Sequence, residues 1–438
     1  MNAQYIADTE NERLLRLHDQ NPPVILIQSG PGAGKSWLLR NMAILSLIRG
    51  QRVLLTVKTN HQAWDMLRNI TREFPRTAYS FVHSQSADVP IDIGTHPQIQ
   101  CTNNFRNIPN GPVLAFATGD KCGYSEGFRN VFDVVLFDEA YQFSDASTSL
   151  VSSFARRWVF IGDSGQIKPV VTTDTGFWNG NVEAPYLSAP EVLQRRHPGI
   201  QVYQLPVTRR LPADSIPFIQ PPFYPNHPFV ALTGPTERRI SFSHSPSHFG
   251  LARMISKIHK GASMLMPQLP HTFTLQDTEI LDRVAQTTEA LLQLQPILTD
   301  GNLQYTLRPQ HIGIACSNVI DVSYLQNQLS RRYPGTLIET FHRFQGLERP
   351  VMLIVHPLSG QATPSPEAME TGLLCVGLSR HRNLCLVFAR EGLGKALDNT
   401  PRFGESCMNE YRSAHSHNWN THTLFMKAMK QHDRIIPF

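Results

Sequence analysis

A glycine-rich segment ending in lysine and serine is the strongest chemical signal in the sequence. Its members are Gly30, Pro31, Gly32, Ala33, Gly34, Lys35 and Ser36, between an aliphatic run at 24–27 and a helical run at 37–49. Glycines leave successive N–H groups free to curve around an anion, and the start of a helix adds partial positive charge. The pattern predicts a phosphate-binding loop in which Lys35 reaches the β- and γ-phosphates and Ser36 binds Mg²⁺. A glycine-rich turn that merely joins a strand to a helix is the alternative.

Two acidic residues stand at the end of another hydrophobic run. Asp138 and Glu139 directly follow the Val-Val-Leu-Phe segment at 134–137. One carboxylate at such a strand end holds Mg²⁺, directly or through water, and a second can polarise the attacking water. We therefore assign Asp138 to the metal and Glu139 to the role of general base. In isolation, the pair is equally compatible with a helix N-cap and a first-turn acid.

A third hydrophobic run, at 158–161, ends in a polar turn that contains Gln166. The amide of a buried glutamine both donates and accepts hydrogen bonds, so Gln166 can sense γ-phosphate or the attacking water. Alone, Gly-Asp-x-x-Gln is a weak turn motif. After a phosphate loop and an acid pair it becomes informative, and we predict Lys35, Glu139 and Gln166 to be catalytic residues.

Short aliphatic runs alternate with helical patterns in both halves of the chain. Strands of a parallel sheet are buried on both faces, so they form continuous aliphatic runs. The pattern predicts the α/β class, with two domains that each contain a parallel sheet. The predicted strands are 24–27, 53–57, 113–117, 134–137 and 158–161 in the first half and 311–316, 336–338, 351–355 and 384–388 in the second, with a helix over 277–294.

A proline-rich stretch separates the two halves, with eight prolines from Pro206 to Pro235. Proline removes a backbone donor, so regular sheet is implausible there and a rigid, irregular connection at 206–235 is predicted. We place the boundary near Gln204. This gives an N-terminal domain at 1–203, with the phosphate loop, the acid pair and the turn that contains Gln166, and a C-terminal domain at 204–438. The polar stretches 83–110 and 240–274 receive no assignment.

Composition restricts the class of protein. The 438 residues carry a net charge of +5, which permits a polyanionic partner without requiring one. With 41% hydrophobic and 17% charged residues, the chain should fold rather than remain disordered. Six cysteines without a CxxC pair argue against a disulfide framework or zinc ribbon and favour a reducing compartment. Without a membrane-length apolar run or a secretory signal, we expect a cytoplasmic protein with no membrane contact.

Nine segments between Gln28 and Arg390 occur in an informative order. They are SGPGAGKS at 29–36, LLTVKTN at 54–60, VLAFAT at 113–118, LFDEAYQ at 136–142, IGDSGQIKP at 161–169, VTRRLP at 207–212, IGIACSN at 312–318, TFHRFQGLE at 340–348 and VGLSRHR at 376–382. Together they resemble the core of superfamily 1 helicases, especially the branch of RNA-surveillance and senataxin-like enzymes. The resemblance implies two RecA-like domains, with ATP and Mg²⁺ in the cleft between them and single-stranded DNA or RNA across their surface.

The resemblance also implies further site residues. Arg209 and Arg380 match the family's two γ-phosphate arginines, with Arg210 and Arg382 as neighbouring alternatives, and Glu348 matches a ribose contact. The implied nucleic-acid contacts are Thr59, Asn60, Thr118, Thr340 and His342. Each has a structural alternative, because an isolated arginine is more often part of an ion pair and a strand-end threonine is more often a cap.

We predict a monomeric ATP-dependent helicase or translocase that moves on single-stranded nucleic acid. The short stretches between motifs leave little room for accessory subdomains, so modest unwinding is expected. A nucleotide-dependent switch that gates a protein partner is the alternative function. A nucleotide or metabolite kinase would share the phosphate loop but would not need a second α/β domain with late arginines.

Overall fold

Alternating strands and helices form two units, each organised around a parallel sheet. The structure, a computed structural model, describes residues 2–125, 127–170, 176–178, 181–234, 236–243, 249–272, 277–361, 364–365, 367–398 and 410–438. The first unit comprises Met1–Ser164 and Lys168–Pro206, and the second comprises Gly165–Ile167 and Val207–Phe438. The predicted α/β class, with two units that each contain a parallel sheet, is confirmed.

The first unit has eight strands in one sheet. Strands β1 to β8 are Val24–Ser29, Arg52–Val57, Tyr79–Val82, Ile99–Thr102, Val113–Thr118, Val134–Phe137, Trp158–Asp163 and Val202–Leu205. Helices α1 to α7 are Ala3–Asp19, Lys35–Ile48, Asn60–Glu73, Ile91–Gly94, Gly119–Gly123, Asp145–Ser152 and Ala189–Arg196. The strand order is β4-β3-β5-β2-β6-β7-β1-β8, and every neighbouring pair is parallel. The carboxyl ends of all eight strands therefore meet at one edge.

Both faces of this sheet are buried, which explains the continuous aliphatic runs. In β2, Val53 and Leu55 pack into the hydrophobic core on one face, whereas Leu54 packs into a second core on the other face. In β6, Leu136 and Phe137 divide in the same way. Successive side chains of a strand point to opposite faces, so two cores require apolar residues at consecutive positions.

The second unit has a six-stranded parallel sheet and two smaller sheets. Strands β9 to β19 are Val207–Thr208, Val230–Ala231, Arg238–Ser241, Met264–Leu269, Ile297–Asp300, Leu303–Thr306, Ile312–Cys316, Leu337–Thr340, Arg349–Val355, His381–Arg390 and Ile435–Pro437. Helices α8 to α14 are Ile216–Phe223, Phe249–His259, Thr278–Leu294, Val319–Leu329, Thr371–Leu378, Leu393–Asp398 and Glu410–Gln431. The large sheet has the order β16-β15-β17-β18-β12-β19, while β11, β13 and β14 form an antiparallel sheet and β9 pairs with β10.

The structure corrects the prediction of an irregular proline-rich connection. Pro217 lies in the first turn of α8, where the missing N–H has no helical partner to lose, but Pro221 and Pro222 lie inside the helix. Phe218 and Ile219 of the same helix are fully buried in the second unit's core. Their burial offsets the hydrogen bonds that the inner prolines remove, so tertiary packing outweighs local propensity.

All nine predicted strands are present, with ends shifted by up to three residues, and the helix predicted over 277–294 is capped by Asp277. The unassigned stretches supply β4 and, in the second unit, β12. None of the described helices combines the length and apolar character needed to cross a bilayer. No disulfide involves the five cysteines of the described ranges, and Cys407 lies outside the described residues.

A buried histidine connects α1 to the rest of the first unit. His18 Nε2 lies 2.8 Å from Ser46 Oγ, and its Nδ1 lies 2.8 Å from Arg157 Nη2. Arginine can only donate, so Nδ1 accepts and the neutral ring carries its proton on Nε2, where it donates to Ser46. Burial, and then the Arg157 charge, lower the pKa of His18 to about 3. Protonation of His18 in the folded state is therefore unfavourable near neutral pH.

This arrangement predicts a pH-dependent stability. An unfolded histidine takes up a proton below about pH 6.5, whereas folded His18 does not until about pH 3. The free energy of unfolding should therefore fall by about 2 kcal/mol between pH 7 and pH 5 on account of His18. Replacing His18→Gln, which keeps an acceptor and a donor, should remove that part of the loss in urea titrations. The exposed His61→Gln is the control, and an unchanged pH dependence in His18→Gln would contradict the assignment.

Candidate functional site

The phosphate loop connects the end of β1 to the start of α2. Gly32 and Gly34 have φ values of 67° and 90°, a left-handed region that side chains with a Cβ rarely adopt. Helix α2 begins at Lys35, so the free N–H groups of its first turn lie at the end of the loop. The sequence-predicted residues Gly30 to Ser36 therefore form a strand–loop–helix unit suited to a phosphate group.

Three segments distant in sequence bring charge to this loop. The Lys35 Nζ atom lies 3.5 Å from Glu139 Oε1, which follows β6, and 3.8 Å from Asp163 Oδ2 at the end of β7. The Asp163 side chain is fully buried, and the Lys35 side chain is 11% exposed. An ammonium group with two carboxylates on neighbouring strands forms a compact polar centre at the carboxyl edge of the sheet.

The backbone at Glu139 is strained, with φ 51° and ψ 45° at a residue other than glycine. Such conformations cost about 1–3 kcal/mol and persist only where surrounding contacts enforce them. Gly162 of β7 supplies one such contact. A Cβ added there would lie 2.8 Å from the Ala140 amide nitrogen and 3.0 Å from that of Tyr141. The turn that carries Glu139 therefore depends on the absence of a side chain at Gly162.

Asp138 fits a divalent cation. Its side chain is buried, and within the described residues Oδ1 has no hydrogen-bond partner. Burial, and then the neighbouring Glu139 carboxylate, raise the pKa of Asp138, while Lys35 opposes the rise. An unsatisfied carboxylate oxygen costs free energy that a bound cation would recover. Together with the Ser36 hydroxyl it gives the oxygen donors that Mg²⁺ prefers.

Polar side chains reinforce the pairing of β1 with β7. The pattern GxxxxGK[ST] has glycine at the position of Ser29, whose hydroxyl here donates to the Gly162 carbonyl at 3.1 Å. The neighbouring Gln28 donates through Nε2 to Ser164 Oγ at 2.5 Å. Both bonds fix the start of the loop against the strand that carries Asp163. The departure from glycine at Ser29 thus has a structural role.

The close approach at Gly162 gives a testable prediction. We expect Gly162→Ala to displace the Ala140–Tyr141 backbone and with it Glu139, because the two amide nitrogens cannot be approached to 2.8 and 3.0 Å by a methyl group. Overpacking should lower the free energy of unfolding by about 1–3 kcal/mol, and the nucleotide hydrolysis predicted from the sequence should fall at least about tenfold.

Gly199→Ala is the matched control, because a Cβ at Gly199 would meet no described atom within 4 Å. Unfolding titrations and steady-state hydrolysis of both variants test the prediction. Wild-type hydrolysis by folded Gly162→Ala would show that the turn tolerates the methyl group.

Three predicted nucleic-acid contacts lie together in the first unit. Thr59 caps α3 in a capping box with Gln62, and Thr118 caps α5 by accepting from the Lys121 amide at 3.1 Å. Both threonines and Asn60 line the same polar groove, of about 680 Å³. Capping a helix does not prevent these threonines from contacting a ligand, since a capping hydroxyl can still form a further hydrogen bond.

The other two predicted nucleic-acid contacts, in the segment at 340–348, lie in the second unit. Thr340 ends β16 and is half-buried, and the exposed His342 lies in the turn that follows. Both remain predictions as nucleic-acid contacts.

Gln166 and Arg380 contact each other in the second unit. Arg380 is 2% exposed and donates through Nη2 to Gln166 Oε1 at 2.7 Å. A Cβ at Gly372, the second residue of α12, would lie 2.9 Å from the Gln166 carbonyl carbon and oxygen. Close packing and this hydrogen bond fix the orientation of the glutamine amide. Their predicted catalytic roles remain predictions.

Glu348 belongs to an ion-pair network with two arginines from other motifs. Arg210 Nε donates to Glu348 Oε2 at 2.7 Å, and Arg382 Nη1 lies 3.6 Å from Oε1. Burial alone would raise the pKa of Glu348, but Arg210, followed by Arg382, outweighs it, so the pKa is lowered. The carboxylate is thus held ionised between two guanidinium groups. A ribose contact by Glu348 remains a prediction.

Arg238 of β11 holds the backbone of the predicted arginine segment. Its side chain is 5% exposed, and Nε donates to Asp300 Oδ1 at 3.0 Å. Nη2 donates to the Arg209 carbonyl at 2.7 Å, and Nη1 donates to the Arg210 carbonyl. A planar guanidinium can satisfy these acceptors together because its five donors have fixed directions. Arg238 therefore positions the backbone of Arg209 and Arg210, although it lies outside the nine motif segments.

We expect Arg238→Met to lower the free energy of unfolding by about 2–4 kcal/mol, since it leaves Asp300 and two carbonyls with fewer donors. If Arg209 has its predicted role, displacing it should also lower kcat for the predicted nucleotide hydrolysis more than it raises KM. Arg239→Met is the control, because Arg239 is the exposed neighbour on the same strand. Equal unfolding free energies for the two variants would refute a supporting role for Arg238.

Three residues that position predicted site residues have no role in the sequence prediction: Asp163, Gly162 and Arg238. Asp163 had a signal, since it lies two residues after the hydrophobic run 158–161, at the end of β7. Gly162 and Arg238 had none, because their roles depend on backbone atoms that only the folded chain brings near.

Comparisons with known proteins give low similarity. No protein-family profile matches the sequence, and no curated protein matches it. Among solved structures, arterivirus nonstructural protein 10 (helicase) aligns with a TM-score of 0.43 and 14% identity, over 85% of this chain and 61% of that chain. Its complex with DNA aligns with a TM-score of 0.42 and 13% identity, over 85% of this chain and 62% of that chain. PRRSV helicase aligns with a TM-score of 0.41 and 14% identity, over 88% of this chain and 54% of that chain. The chain spans about three fifths of the length of the first two structures. The functional argument therefore rests on the site.

Proposed function

We propose that this protein hydrolyses ATP to move along single-stranded nucleic acid, as a monomeric translocase of superfamily 1 type with modest unwinding. The observation that carries the proposal is the Lys35 ammonium at 3.5 Å from Glu139 and 3.8 Å from Asp163, beside a glycine loop at a helix start. The order of the nine motifs supports the superfamily 1 type. Cysteines without disulfides in the described ranges are compatible with the proposed cytoplasmic location.

In this proposal each residue of the loop and its neighbours has a chemical role. The loop amides and Lys35 bind the β- and γ-phosphates, and Glu139 accepts a proton from the attacking water. Ser36 and Asp138 hold Mg²⁺, which supplies charge neutralisation on the phosphate oxygens. Gln166 orients the water, Arg209 and Arg380 stabilise charge that develops during phosphoryl transfer, and Glu348 contacts the ribose.

The proposed nucleic-acid contacts are Thr59, Asn60, Thr118, Thr340 and His342. Short neutral donors suit a motor, because a grip on phosphates must form and release repeatedly and without regard to base sequence. The groove lined by Thr59, Asn60 and Thr118 supports this part of the proposal.

Two substitutions test the hydrolytic step. Lys35→Ala removes the phosphate-binding charge and Glu139→Gln removes the base, so each should lower kcat for ATP hydrolysis at least about 100-fold. Glu12→Gln is the control for the second variant, since Glu12 on α1 is 68% exposed. Near wild-type hydrolysis in folded Glu139→Gln would contradict the assignment of the base.

Movement is tested with wild-type protein. Single-stranded DNA and RNA, compared side by side, should raise the rate of ATP hydrolysis several-fold, and the protein should displace streptavidin from a biotinylated strand end in an ATP-dependent manner. Nucleotide hydrolysis that no nucleic acid stimulates would favour the alternative, a switch that gates a protein partner.

A further inference from the structure

Four neighbouring strands of the first unit end in one polar groove. In the sheet order, β4, β3, β5 and β2 are consecutive and parallel, so their carboxyl ends lie side by side. Each end supplies lining residues: Asn103 and Asn104 follow β4, Gln85 follows β3, Thr118 ends β5 and Thr59 follows β2. With strands about 4.8 Å apart, four ends span about 14 Å. That length accommodates on the order of four stacked nucleotides at about 3.4 Å each.

The groove is separate from the polar centre at the phosphate loop. The loop and its acids belong to β1, β6 and β7, which are the next strands along the same sheet edge. One edge therefore carries two sites on two sets of strands. Parallel sheets place ligands outside the carboxyl ends of their strands, which accounts for both positions.

The charges of the groove suit a polyanion held weakly. Lys58 and Lys121 line it together with one acid, Asp120. The Lys58 ammonium lies 5.6 Å from the centre of the Phe143 ring, a cation–π contact that holds it in place. The amides of Asn103 and Asn104 are exposed and can donate to phosphate or sugar oxygens.

An exposed aromatic ring stands at this groove. Tyr124 follows the short helix α5, lines the groove and is 89% exposed. An aromatic ring in this position offers a flat face to an unpaired base. Stacking of a base on such a ring contributes to single-strand binding without requiring a particular base.

We propose, on the basis of the proposed function, that this groove binds single-stranded nucleic acid with a base stacked on Tyr124. In this arrangement Gln85, Asn103 and Asn104 form the wall of the groove at the ends of β3 and β4, beside the predicted contacts of β2 and β5. Lys58 and Lys121 contact phosphates. The stacking residue and this wall are additions to the contacts that the sequence motifs predict.

Fluorescence anisotropy with labelled oligo-dT and oligo-rU of about 20 nucleotides tests the proposal, since that length exceeds the roughly four nucleotides that the groove spans. Tyr124→Leu should weaken binding about tenfold, as expected for the loss of one stacked base. Tyr124→Phe keeps the ring and should bind like wild type. Tyr5→Leu, at a tyrosine of α1 that is 63% exposed, is the matched control.

Salt titration separates stacking from charge. Lys121→Gln should reduce the slope of log affinity against log salt by about 0.7, the value for one phosphate contact on a single strand, whereas Tyr124→Leu should leave the slope unchanged. Asp120→Asn should tighten binding, because it removes a negative charge from the groove. A blunt-ended duplex offers no unpaired base, so its binding should not respond to Tyr124→Leu.

Wild-type affinity retained by Tyr124→Leu would overturn the stacking proposal while leaving the proposed function intact. Equal losses for duplex and single strand would also overturn it, since they would indicate a contact with backbone rather than base. Wild-type protein that neither binds single strands nor responds to them in ATP hydrolysis would contradict the proposed function, and the stacking proposal with it. The unfolding midpoint of each variant verifies that the first unit is folded.

Discussion

The contact of the Lys35 ammonium with Glu139 and Asp163 requires three distant segments to meet at one sheet edge. β7 must lie between β1 and β6, as it does in the strand order, so that both carboxylates reach the loop. Gly162 on β7 then allows the turn after β6 to approach, and that approach holds Glu139 in its left-handed conformation. The chemistry of the site therefore depends on strand order as much as on residue type.

The same edge of the sheet carries both the glycine loop and the polar groove because the strands are parallel. β1, β7 and β6 carry the glycine loop and its acids, while β2, β5, β3 and β4 end in the polar groove. The rigid sheet fixes the separation between the two sites within the first unit. Threonines that cap α3 and α5 also line the groove, so the proposed ligand contacts come from side chains that stabilise these helices.

The second unit uses arginines to hold other arginines in place. Arg238, from the small antiparallel sheet, donates to the carbonyls of Arg209 and Arg210, and Arg210 in turn binds Glu348. Segments far apart in sequence thus form one hydrogen-bonded network around residues of three predicted motifs. Asp300 contributes the charge that keeps Arg238 in position.

The sequence by itself determined the α/β class, nine strand positions, the glycine loop and the acid pair, because periodicity and strand-end chemistry are local properties. It did not determine α8, since Phe218 and Ile219 gain enough from burial to keep a helix that contains inner prolines. Only the tertiary structure decided which strand ends adjoin, that Asp163 faces Lys35, and that Arg238 supports Arg209. These arrangements depend on contacts between residues remote in sequence, which local sequence patterns do not specify.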